Sequence, residues 1–205
     1  MSGDGRRQGP IALAMTGASG AAYGLRLLEC LLGAGREVWF LVSEPGQVVI
    51  SMETDLRLPA RPAEMERVLT GRYGGQGRLR VFGQKQWTAP LASGSGAPAA
   101  MVVCPCTTGT LAAIASGHSS SLIERGADVT LKEGRPLILV VRETPLSAIH
   151  LENMLRLARA GAVILPACPG FYHGPRSVDD LVDFVVARVL DRLGVPHELV
   201  PPWGG

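Results

Sequence analysis

The chain has 205 residues, 46% hydrophobic and 19% charged, which suits one sizeable packed core rather than a disordered chain. Its net charge of +2, with no Lys/Arg cluster and no aromatic platform, gives no reason to expect nucleic acid as a partner. Cys30, Cys104, Cys106 and Cys168 form no CxxC pair and no zinc-like spacing, no apolar run approaches the roughly 20 residues of a membrane span, and the start is polar, so a cytoplasmic protein clear of the membrane is expected.

Short β-rich runs alternate with helical patterns along the chain. Residues 11–16 read as a buried strand and 21–33 as a helix with Leu25, Leu28, Leu31 and Leu32 on its apolar face. A strand at 37–43 follows, then a helix through Met52 with Ser43 as N-cap and Pro45 in its first turn. A helix near 63–70 and a short strand at 79–82 lead into a long loop, 84–98, of the kind that often carries function. The remainder reads as strand 99–104, helices 109–116 and 121–132, strand 136–142, helix 147–160, strand 162–165, helix 177–193 and a tail. This alternation predicts a single doubly wound Rossmann-like α/β domain over 1–205 with a mostly parallel sheet, 1–9 flexible and 195–205 a C-terminal tail near the active site.

Ligands in such sheets bind beyond the carboxyl ends of the strands, so the residues that follow each strand matter most. These are Gly17-Ala18-Ser19-Gly20, then Ser43, then Thr107-Thr108-Gly109-Thr110, then Arg142-Glu143, and finally a Gly170-Phe171-Tyr172 run. The first and third groups sit at helix N-termini, where free N–H groups suit a phosphate, although Ser and Thr there are also ordinary caps. Neither loop is GxGxxG and no Walker motif exists, which disfavours NAD and ATP. Glu143 reads either as a first-turn carboxylate or as a general acid/base beside Arg142. Asp179-Asp180-Leu181-Val182-Asp183 spells a DDxxD magnesium-diphosphate motif, but Ser177 before it and Asp180 at N3 predict a capping box instead.

MTGASGAAYGLRLL, SMETD, VFGQKQW with ASGS beyond it, CPCTTGTLAAI, LIERGADVTLKE, RPLILVVRETPLSAIHLENM, GAVILPACPGFYH and DLVDFVVARVLDRLG stand in order along the chain. Together they resemble the UbiX-type flavin prenyltransferases over nearly its whole length. The resemblance implies a flavoprotein fold assembled as a homo-oligomer, a dodecamer, with sites at subunit contacts. It implies FMN contacts from Gly17, Ala18, Ser19, Ser43, Thr107, Thr108, Gly109, Thr110 and Arg142. It places a dimethylallyl phosphate on Arg125, Lys132, Arg142, Tyr172 and Arg188, with Trp87 and Trp203 around the allyl group, and gives the catalytic work to Ser19, Glu53, Glu143, Lys132 and Arg125. Two positions depart from the pattern: Thr107 stands where many relatives carry Ser, and Glu44 follows Ser43 where Lys occurs.

The implied reaction joins dimethylallyl to N5 and C6 of reduced FMN without a metal, giving a cofactor for a UbiD-type decarboxylase. Two other readings stay open at this level. One is an FMN-dependent cysteine decarboxylase, which relies on a catalytic His and an Asn-containing loop; this sequence offers Arg142-Glu143-Thr144-Pro145 and no comparable Asn loop. The other is a non-catalytic FMN carrier.

Overall fold

A computed structural model describes residues 9–201. Six strands form one sheet: β1 (Ile11–Met15), β2 (Glu37–Val42), β3 (Arg78–Val81), β4 (Ala100–Cys106), β5 (Leu137–Val141) and β6 (Val163–Ile164). Seven helices flank it: α1 (Ala21–Gly33), α2 (Glu44–Glu53), α3 (Pro62–Tyr73), α4 (Thr108–Ala115), α5 (Leu122–Lys132), α6 (Ala148–Arg159) and α7 (Val178–Leu193). Every strand pair among the described residues is parallel, so the sheet is more uniform than "mostly parallel" implied.

The strand order is β3-β2-β1-β4-β5-β6. The chain winds outward from β1 to β3, then returns to the other side of β1 with β4. The switch point therefore lies between the ends of β1 and β4, where a doubly wound sheet opens a crevice.

All five residues of β1 are buried, because helices cover both faces of the sheet. Strand periodicity divides them. Ile11, Leu13 and Met15 join the core under α1, α2, α3 and α7, whereas Ala12 and Ala14 join the core under α4, α5 and α6. No helix among the described residues is long and apolar enough to cross a membrane.

The elements differ from the sequence expectation in three places. Strand β4 continues to Cys106, because Cys106 still pairs with Val141 after an irregularity beyond Val103. Pro105 has no N–H for the ladder, and that is why the sequence points to an end at Cys104. Helix α3 runs a turn longer than 63–70, to Tyr73. The loop 84–98 holds two short 3₁₀ turns, Pro90–Ala92 and Gly94–Gly96.

Candidate active site

The loops after β1 and β4 meet at the switch point. Ser43 N–H donates to Met15 O at 3.0 Å, which sets the start of α2 against the end of β1. A side chain at Gly17 would have its Cβ 2.5 Å from Pro45 Cβ, so only glycine permits that approach. Gly20 has φ 110°, the left-handed conformation that glycine adopts without strain, and it turns the chain into α1.

Helix α1 receives no cap from its own N-cap residue. Glu53, at the far end of α2, supplies one instead. Its carboxylate accepts from Gly20 N–H at 2.9 and 3.2 Å and from Ala21 N–H at 2.7 Å. Burial alone would raise the Glu53 pKa; a hydrogen bond from Ser19, the two backbone donors and the charge of Arg142 together hold it below the ordinary carboxylate value. The N-terminus of α1 thus already holds an anion.

The N-terminus of α4 is arranged differently. Thr107 Oγ1 accepts from Thr110 N–H at 3.0 Å as a helix cap and donates to Thr110 Oγ1 at 2.9 Å. Thr107 N–H is taken by Thr16 Oγ1 at 2.9 Å. Among the described residues no group accepts from the N–H of Thr108 or Gly109. Of the two helix ends expected to suit a phosphate, the one at α4 is open.

Arg142 closes this group from β5. Its backbone N–H donates to Cys106 O at 3.3 Å, while its Nε is buried without a hydrogen-bond partner. A buried guanidinium nitrogen in that state is made for an acceptor from outside the chain. Glu143, next to it, accepts from Thr144 N–H at 3.1 Å and lies 3.5 Å from Thr108 Oγ1. Ser19, Glu53, Arg142, Glu143, Ser43 and the Thr107–Thr110 turn therefore share one edge. Cys104 and Cys106 also lie there, but burial pushes both thiols up, Cys106 to about 12, so neither is a thiolate nucleophile near neutral pH.

The basic residues expected around the prenyl phosphate are not in this cluster. Arg125 Nε donates to Ala92 O at 3.0 Å and its Nη1 pairs with Asp128 at 2.8 Å. Lys132, at the last residue of α5, pairs with Glu133 at 2.6 Å. Arg188 pairs with Asp191 at 2.5 Å, and Asp191 also meets His197 at 3.0 Å. Tyr172 packs edge-on to Phe184, one turn before Arg188 on α7, with ring centroids 5.7 Å apart. Trp87 is half exposed, with Lys85 Nζ 5.9 Å from its ring centre. Its loop is anchored at the end of β2, where Gln84 Nε2 donates to Val42 O at 2.7 Å. Trp203 lies outside the described residues.

The DDxxD residues are committed elsewhere. Ser177 and Asp180 form the expected capping box, with Asp180 accepting from Arg176 N–H at 2.7 Å and Ser177 N–H at 3.0 Å. Asp183 holds Arg26 through two hydrogen bonds of 2.7 and 3.2 Å and so ties α7 to α1. Sequence reasoning missed Thr16, whose only signal is a hydroxyl at a strand end directly before a glycine-rich loop.

A family model described as Flavoprotein matches residues 2–190. The flavin prenyltransferase UbiX of Pseudomonas aeruginosa is 63% identical over 195 residues, covering 95% of this chain and 93% of that protein. The crystal structure of AnUbiX in complex with FMN and dimethylallyl pyrophosphate superposes with a TM-score of 0.85 at 41% identity, covering 96% of this chain and 97% of that one. A dodecameric FMN-dependent UbiX-like decarboxylase from Escherichia coli O157:H7 gives a TM-score of 0.84 at 39% identity, covering 96% and 100% of the two chains.

Proposed function

This chain belongs to the Flavoprotein family, among its UbiX-type flavin prenyltransferases, and on that premise we propose that it joins a dimethylallyl group to N5 and C6 of reduced FMN, making a cofactor for a UbiD-type decarboxylase. The observation that carries the flavin site is the pairing of the open α4 N-terminus with the unpartnered, buried Nε of Arg142. Thr108 and Gly109 N–H, with the hydroxyls of Ser43 and Thr110, suit the flavin phosphate. Gly17, Ala18 and Ser19 then line the crevice beside the flavin.

Reduced FMN supplies the nucleophilic ring atoms. The allylic C–O bond breaks with its electron pair leaving on the phosphate, while N5 would bond to the allyl carbon and lose its proton. Protonation of the remaining double bond would then let C6 attack and lose its proton, so the protein must relay protons and stabilise negative charge on the phosphate. Arg142, Arg188, Arg125, Lys132 and the Tyr172 hydroxyl suit that task as preorganised donors, without a metal. Glu143 exchanges a proton with the phosphate oxygen, and Ser19 Oγ passes a proton towards the ionised Glu53 carboxylate. The faces of Trp87 and Trp203 stabilise the allyl cation by roughly 0.5–2 kcal/mol per contact.

Arg125 and Lys132 give the oligomer a chemical reason. Lys132 ends α5, an 11-residue helix about 16 Å long whose first residue faces the carboxyl edge of the sheet. Lys132 therefore acts in the site of a neighbouring copy, and Arg125, whose guanidinium is turned to Ala92 and Asp128, does the same within a homo-oligomer of dodecamer type. Exposed Ile149, Leu151 and Leu155 on α6, and Val48 and Met52 on α2, offer apolar surface for such contacts. The chain works as one domain, in the cytoplasm.

Anaerobic incubation with reduced FMN and dimethylallyl monophosphate or diphosphate, followed by mass spectrometry of the released flavin, tests this reading. The expected product is FMN heavier by one dimethylallyl unit, and Glu143→Gln should bind FMN yet form little of it. Unmodified FMN with every donor, from protein that binds flavin, would refute the transfer.

A further inference from the structure

Thr16 closes β1 at 3% exposure, one of two buried polar residues among those described. Its backbone N–H donates to Pro105 O at 3.1 Å and its Oγ1 donates to the same oxygen at 2.8 Å. The same Oγ1 accepts from Thr107 N–H at 2.9 Å. One hydroxyl thus uses its donor and an acceptor position to hold both sides of the Pro105–Thr107 bend. Pro105 has no N–H of its own with which to fix this bend.

We propose that Thr16 is a positioning residue for the flavin phosphate: by taking the Thr107 N–H, it aims the next two, at Thr108 and Gly109, at the anion. The four leading N–H groups of α4 then have separate duties. Thr110 N–H goes to the Thr107 cap and Leu111 N–H to Thr107 O at 2.9 Å, so only Thr108 and Gly109 remain for a ligand. Without the Thr16 hydroxyl, the partly buried Thr107 N–H loses its acceptor and competes for the same phosphate or turns the helix start away from it. The inference rests on the phosphate lying at α4, as proposed above.

Two measurements test it. The first is hydrogen–deuterium exchange resolved to single amides on the unaltered protein, with and without FMN. Thr107 N–H should be protected in both states, and Thr108 and Gly109 N–H only with FMN. A Thr107 amide that exchanges freely until FMN is added overturns the role of Thr16. FMN binding that protects neither Thr108 nor Gly109 overturns the α4 phosphate seat itself, whatever Thr16 does.

The second measurement compares Thr16→Val with Thr16→Ser. The valine variant should weaken FMN binding roughly ten- to a hundredfold while KM for dimethylallyl phosphate and kcat at saturating FMN move less than about threefold. The serine variant keeps the hydroxyl and should bind FMN within about threefold of the unaltered protein. A folded valine variant with unaltered FMN affinity, or a folded serine variant as weak as the valine one, overturns the proposal. Should valine prevent folding, the exchange pattern and the serine variant still decide.

Discussion

Replacing Glu53 with Ala removes the side chain that caps α1 among the described residues. Three hydrogen bonds from two backbone donors are lost, at 2.7, 2.9 and 3.2 Å, together with the favourable interaction of a carboxylate with the helix N-terminus. The site is solvent-accessible, so the charge is screened, and the loss should be about 1–2 kcal/mol. For a chain of this length that lowers Tm by about 2–8 °C. Urea unfolding of flavin-free protein at one fixed concentration measures the change without reference to activity. The folded-state pKa of Glu53 lies below its ordinary value of 4.5, so its contribution is complete above that pH and disappears as the pH falls through the folded value. The gap between the two proteins should therefore be full at pH 7 and should narrow below pH 4.5. Added sulfate should recover part of the loss in the variant, because the vacated helix end becomes an anion site. A gap under about 0.5 kcal/mol at pH 7 would sink the assignment of Glu53 as the α1 cap.

Other outcomes follow from the same geometry. Gly24→Ala places a Cβ 2.3 Å from Cys104 O and 2.7 Å from Met15 Cε, so α1 must lift from the sheet; a loss of about 1–3 kcal/mol is expected in thermal melts, and an unchanged Tm would contradict it. Asp180→Ala should lower Tm slightly, since it removes the carboxylate half of the capping box but keeps Ser177, and leave prenyl transfer unchanged with or without EDTA, whereas metal-dependent loss of transfer would restore the magnesium reading of DDxxD. Cys104 and Cys106 should resist alkylation at mildly alkaline pH until the protein is unfolded, as followed by mass spectrometry, because both thiols are buried and raised in pKa.

What the sequence made legible was local. The apolar runs place all six strands, and Ser177 with Asp180 reveals its capping box because both partners lie within one helical turn. The chain order after each strand also places Ser19, Thr107–Thr110 and Arg142 along one edge. The Glu53 cap was hidden, since it joins residues 32 and 33 positions apart and needs the β1–β2 pairing to exist first. Thr16 was hidden for the same reason: its partners lie 89 and 91 residues away. Arg125 and Lys132 illustrate the opposite limit. Their motif is plain in the sequence, yet within one chain their partners are Ala92, Asp128 and Glu133, and the site proposed for them needs a second copy.

The carboxylate seated on α1 gives the crevice a polarity. Two helix ends face it, one neutralised from within the chain and one still electropositive, so an elongated ligand with a single charged terminus has one favourable direction of entry. With the phosphate seat proposed at α4, the ring of such a ligand would extend past Ser19. A dinucleotide, with charge in its middle, would meet Glu53 where the usual Rossmann crevice offers free N–H groups. On the proposed phosphate seat, Glu53 would favour a mononucleotide by occupying, with its own side chain, the helix end a second phosphate would need.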